Sequence, residues 1–204
     1  MSLSIGLYFG SFNPIHHGHL IIAEHILNFT NLNEIWFVVS PQNPFKQQQH
    51  LLNEYDRLNL VQLAIEHEPQ LRASSIEFKL SKPSYTVHTL AHLAEKYPQH
   101  QFSLIMGSDG FQNLPKWKNA AFIIQHYPIY IYQRPGYAVT DTWGAQATIL
   151  EAPLLEISST HIRELITNRK SIRFLVPDNV KDEIEKNNYY RSNSSEKPSK
   201  EKAD

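Results

Sequence analysis

Apolar positions fall in blocks along this chain, and their spacing switches repeatedly from unbroken runs to helical intervals. Leu3 to Phe9 is short, mostly apolar and closed by Gly10-Ser11, which predicts a buried first strand entering a loop. From His19 to Phe29 the apolar residues Leu20, Ile21, Ala23, Ile26 and Leu27 recur at helical spacing, and Glu34 to Val39 reads as a second strand stopped by Ser40-Pro41. Glu54 to His67 is helical again, with Leu58, Val61, Leu63 and Ile65 apolar, and Leu71 to Leu80 holds one or two short strands. Ser84 to Lys96 predicts a helix with Ser84 as N-cap after Pro83. Further strands are expected at Phe102–Met106, Pro128–Tyr132 and Ile149–Ile157, and further helices at Asn119–His126, Ser159–Thr167 and Pro177–Lys186. Strands alternating with helices predict an α/β protein, doubly wound, with a mostly parallel sheet and helices on both faces.

Domain organisation follows from the same pattern. Residues 1–190 form one domain, while Arg191 to Asp204 lacks an aliphatic core residue, is rich in Ser, Lys and Glu, and is expected to be a disordered tail. Residues 40–53 form a long Gln-, Pro- and His-rich loop, a length that compact domains tend to keep for function. A net charge of −1 argues against a general nucleic-acid or anionic-membrane binder. The absence of cysteine removes disulfides, thiolate zinc sites and cysteine nucleophiles. No secretory signal and no membrane-length apolar run is visible, so a cytoplasmic protein is expected; a homo-oligomer is compatible with the sequence.

Candidate chemistry begins after the first strand, in Gly10-Ser11-Phe12-Asn13-Pro14-Ile15-His16-His17-Gly18-His19. Ligands of open α/β sheets bind at the carboxyl ends of strands, where N–H groups around Gly10 and Ser11 and at the helix start can face a phosphate. His16 and His19 share a helical face, His17 points elsewhere, and Gly18 lets the backbone approach a ligand without a Cβ. Two imidazoles with fixed N–H donors suit phosphoryl chemistry, where charge develops on oxygens in the transition state.

This segment resembles the HxGH signature of the nucleotidyltransferase superfamily, as His16-x-Gly18-His19. The longer string from Gly10 to His16 is similar to the GTFDPxH form of bacterial nicotinate-nucleotide adenylyltransferases, with Phe9 in place of a second glycine and Asn13 in place of aspartate. A second segment, Ile157-Ser158-Ser159-Thr160-His161-Ile162-Arg163, resembles the ISSTxIR motif of the same superfamily. On its own it also reads as a plain helix N-cap. The resemblance spans roughly residues 3–190 and implies a Rossmann-like nucleotidyltransferase fold.

What the resemblance implies for the site is specific. Gly10, Ser11, Phe12, His16, His19, Gly107, Asp109, Ser158, Ser159 and Arg163 would bind ATP, with His16, His19 and Arg163 catalytic and Ser159 and Arg163 on the departing pyrophosphate. Magnesium would ride on the phosphates, needing few protein ligands. The stretch from Gly107 and Asp109 through Leu114-Pro115-Lys116-Trp117-Lys118 resembles the family's GxD…LxxWK segment, which implies Asp109 on ribose hydroxyls or the base region and Trp117 stacked on a pyridine ring. Thr86 would lie beside the pyridine carboxylate, and Lys46 and Arg134 would reach substrate phosphate. The implied reaction adenylylates nicotinate mononucleotide with ATP in NAD biosynthesis. Rival acceptors within the superfamily are nicotinamide mononucleotide, phosphopantetheine and glycerol phosphate. A rival of another class is a non-catalytic metal- or nucleotide-binding protein, suggested by eleven histidines, although no carboxylate or cysteine stands near His16, His17 and His19 to complete a zinc set.

Overall fold

The computed structural model describes residues 2–42, 51–153 and 155–191. Lys46 and residues 192–204, the bulk of the expected tail, lie outside the described residues. Six strands form one sheet: β1 (Ser4–Gly10), β2 (Glu34–Val39), β3 (Leu71–Ser74), β4 (Gln101–Gly107), β5 (Ile129–Tyr132) and β6 (Ala147–Leu150). Their order is β3-β2-β1-β4-β5-β6, and every neighbouring pair is parallel. This is the doubly wound Rossmann order, and the expected mostly parallel sheet is in fact wholly parallel.

The strands read as near-continuous apolar runs because both faces are covered. Alternate residues divide between two cores. Tyr8, Ile35, Phe37, Val39 and Ile105 face a core shared with α1 (His17–Phe29), α2 (Glu54–Ala64), α6 (Ser159–Thr167) and α7 (Asp178–Lys186). Ile5, Leu7, Trp36, Val38, Leu104 and Met106 face a core shared with α3 (Thr86–Lys96), α4 (Ser108–Gln112) and α5 (Ala120–His126). The chain order switches direction between β1 and β4, which opens a crevice at their carboxyl ends.

Two expectations are corrected, at the start of α3 and at β6, and one is narrowed, at β3. The helix expected from Ser84 starts at Thr86, with Tyr85 at the N-cap position and no side-chain cap bond. The Leu71–Leu80 stretch holds one strand, then a 3₁₀ turn at Ile76–Lys79 that tucks Glu77 inward. The last strand lies at Ala147–Leu150 rather than Ile149–Ile157. It is an edge strand of four residues whose exposed positions include Ile149, so polarity does not mark its buried side, and Pro153 lies beyond it in the return to α6. Among the described residues no helix is long and apolar enough to cross a membrane.

Candidate active site

A cavity of about 1040 Å³ opens at the switch point. It is lined by Gly10, Ser11, Phe12, His16, His19, Thr86, Gly107, Asp109, Trp117, Arg134, Ser158, Ser159 and Arg163. The structure therefore brings together every expected site residue within the described part of the chain. His17 does not line it.

The loop after β1 is held tightly. Phe12 has φ of +46°, a left-handed conformation that costs a bulky residue roughly 1–3 kcal/mol. Its buried ring folds back over Gly10, where a Cβ would stand 2.7 Å from the Phe12 ring. Edge contacts place that ring against Tyr8 and His19, with centroids 5.8 and 5.1 Å away. Gly18 has a reason beyond ligand access: a Cβ there would come within 3.0 Å of His16 Nδ1. Its hydrogen makes room for the His16 ring, which stacks on His19 at 3.7 Å between centroids and 25° between planes. The pair stands at the start of α1.

His16 is buried, and its pKa is lowered to about 4, first by desolvation and then by the positive charge of Arg134. It is neutral at pH 7 and presents a ring N–H, not a cation. Its Nδ1 is buried and without a hydrogen bond.

The second motif closes onto the first. Ser159 Oγ donates to the Pro14 carbonyl at 2.8 Å, and Arg163 Nη1 donates to the Asn13 carbonyl at 2.9 Å. Ser158 is the N-cap of α6, its Oγ accepting from the His161 N–H at 3.1 Å. The capping reading of this motif is met, and the same segment lines the cavity. The Ser159 and Arg163 side chains tie α6 to the loop, and the helix start, Ser158 to Thr160, lines the cavity. Asn13 departs from aspartate yet keeps its acceptor: Oδ1 takes the Leu52 N–H at 3.2 Å and the Tyr190 hydroxyl at 2.9 Å.

On the far wall Arg134 pairs with Asp109 at 3.3 Å and donates to Tyr132 Oη at 3.4 Å. Tyr132 and Tyr8 hydroxyls stand 3.3 Å apart, and burial keeps the Tyr8 phenol neutral by raising its pKa. Trp117 ends the 3₁₀ turn Leu114–Lys116 half-buried, one face on the core and the rest on the cavity. Phe9 lines the cavity beside it and packs on the same core.

Sequence reasoning missed three groups. Arg57 is fully buried and donates to the carbonyls of Leu52, Ser11, Ser40 and Pro41. It shares a helix face with buried Leu60 and Val61, and that spacing was the available signal. Glu77 is buried on the cavity wall, its carboxyl bound by Thr89. Lys118 lies over the Tyr85 ring at 4.6 Å, which braces the start of α3 against the Trp117 segment. Among the described residues no cluster of His, Cys, Asp or Glu could hold a metal ion.

A doubly wound sheet, paired imidazoles and two helix N-termini around one cleft define a Rossmann-like nucleotidyltransferase. Residues 7–165 match the Cytidylyltransferase-like family model. A probable nicotinate-nucleotide adenylyltransferase of Cytophaga hutchinsonii is 50% identical, over 92% of this chain and 98% of that protein. One of the same description from Flavobacterium psychrophilum is also 50% identical, over 93% of this chain and 100% of that protein. The solved Plasmodium falciparum nicotinic acid mononucleotide adenylyltransferase complexed with NaAD shares the fold, with a TM-score of 0.79 at 22% identity, covering 92% of this chain and 97% of that one. The chain belongs to the cytidylyltransferase-like family and, within it, to the nicotinate-nucleotide adenylyltransferases.

Proposed function

We propose that this enzyme transfers the adenylyl group of ATP to nicotinate mononucleotide, releasing pyrophosphate and forming nicotinate adenine dinucleotide. One observation carries the reading: the stacked His16–His19 pair stands in a single cleft between the α6 N-terminus and the Trp117–α3 wall. The α-phosphate of ATP sits at the two imidazoles, with its β- and γ-phosphates toward Ser158, Ser159 and Arg163. Loop N–H groups at Gly10, Ser11 and Phe12 hold phosphate, and Gly107 and Asp109 meet the ribose. The pyridine ring lies on Trp117, its carboxylate at the start of α3 beside Thr86. Arg134 takes phosphate once a ligand competes for its Asp109 pair, and Lys46 is assigned to the acceptor phosphate.

A phosphate oxygen of the mononucleotide attacks the α-phosphorus in line. The bond from that phosphorus to the bridging oxygen breaks, and pyrophosphate leaves with the electron pair. The acceptor is already ionised near neutral pH, its second pKa being about 6, so alignment and charge shielding matter more than a general base. Neutral His16 and its stacked partner supply donors where charge develops, without a proton transfer. Magnesium fits this site only as a companion of the ATP phosphates, since the described residues offer it no cage. It would add charge neutralisation on the phosphates. ATP dependence and the lack of cysteine favour a cytoplasmic setting.

The acceptor assignment is tested by comparing kcat/KM for nicotinate and nicotinamide mononucleotides with ATP and magnesium fixed. The acid is expected to be preferred, because hydrogen bonds to a charged acceptor contribute roughly 1.5–3 kcal/mol against about 1 for neutral ones. The amide would also turn an NH₂ toward the backbone donors of α3. Trp117→Ala should weaken both acceptors, since either ring can stack, while Thr86→Val should hurt the acid more. Equal values, or a preference for the amide, would defeat the acidic acceptor and leave adenylyl transfer standing.

A further inference from the structure

We propose that Glu77 sets the preference between an acidic and an amide acceptor, an inference that rests on the acceptor pocket assigned above. Glu77 is 1% exposed, yet it lines the cavity with Ser84 and Thr86 at the start of α3. Its Oε1 accepts from Thr89 Oγ at 2.8 Å, on the first turn of that helix. Its Oε2 and the Ser84 hydroxyl are buried without a hydrogen bond of good geometry. An acidic group thus stands at the helix end that is meant to attract the ring carboxylate.

The groups facing it are Thr89 on α3, Ser84 ahead of that helix and Ser40 after β2; none carries a charge. Burial raises the carboxyl's pKa, and the three hydroxyls draw it part of the way back. Glu77 therefore ionises at higher pH than an ordinary glutamate. While it is neutral, the positive end of α3 is unopposed and favours a carboxylate. Once it is ionised, its charge opposes an acidic ring substituent and offers an acceptor to an amide NH₂. Selectivity for the acid should therefore be greatest at low pH and fall as pH rises through the titration of Glu77.

The readout is the ratio of kcat/KM for nicotinate over nicotinamide mononucleotide, measured from about pH 4, near the ordinary glutamate value, to about pH 9. The ratio cancels the titrations of ATP, of the acceptor phosphate and of His16, which both reactions share. Wild-type protein is expected to lose about tenfold in the ratio across that range. Glu77→Gln should hold a ratio that does not change with pH. Thr89→Val removes a bond that favours the charged carboxyl, so the fall should begin at higher pH. The wild-type and Thr89→Val profiles do not depend on whether the glutamine variant folds. A flat wild-type ratio with both acceptors turned over, or an unchanged slope in Glu77→Gln, overturns the role of Glu77 alone. Turnover of neither acceptor by the wild type brings down the adenylyl-transfer reading and this inference with it.

Discussion

Replacing His19 by alanine is expected to lower kcat by about 10²–10³-fold, the usual cost of losing one fixed donor to transition-state charge. His19 is not a core anchor. It lies half-exposed on the cavity wall, stacked on His16 and edge-on to Phe12. Truncating it removes edge contacts to Phe12 and Tyr8 at the rim of one core but deletes no residue of either core. KM for ATP should change far less than kcat, because the ring is assigned to charge that appears only as the α-phosphate reacts. The check is steady-state kinetics beside a thermal melt of the same protein. A near-normal kcat would remove His19 from the mechanism, and a large fall in melting temperature would turn its role into a structural one.

Arg57→Met is expected to give the largest loss of stability. The guanidinium is 0% exposed and ties four carbonyls from three segments: the β1 loop, the end of β2 and the approach to α2. Hydrogen bonds from a charged donor contribute about 1.5–3 kcal/mol each, and buried carbonyls left without partners cost about 1–3 kcal/mol. Even with partial relaxation a loss of about 3–5 kcal/mol follows, which lowers the melting temperature of a chain this size by about 10 °C. Activity should fall as well, since the Ser11 carbonyl that Arg57 holds adjoins the strained Phe12. Arg57→Lys should recover only part of the loss, because one ammonium cannot span that fork. A change in melting temperature of a degree or two would show that these loops hold their shape without the clamp.

Legibility in the sequence followed the physics of each feature. The strands from β1 to β5 and the helix at Ser159–Thr167 could be read because two-sided burial and N-capping leave local patterns. The histidine loop and the α6 motif could be read because their chemistry needs fixed residue types at fixed spacing. Edge strand β6 could not be placed, since half its surface faces away from any core. Glu77 and Arg57 carried no expectation from the sequence. Their partners are hydroxyls and carbonyls of other segments, which leave no local pattern, although the spacing of Arg57 to Leu60 and Val61 marks its helix face. Gly18 lines the cavity, and it has a second reason that the sequence did not show, room for the His16 ring.

The central claim is transfer of the adenylyl group, and the position of the label in ATP tests it most directly. The purified chain is incubated with nicotinate mononucleotide, magnesium and ATP labelled at either the α- or the γ-phosphate. The account predicts that α-label appears in nicotinate adenine dinucleotide while γ-label appears in an equal amount of pyrophosphate. Transfer of γ-label to the mononucleotide, or α-label recovered only as AMP with no dinucleotide formed, would contradict it.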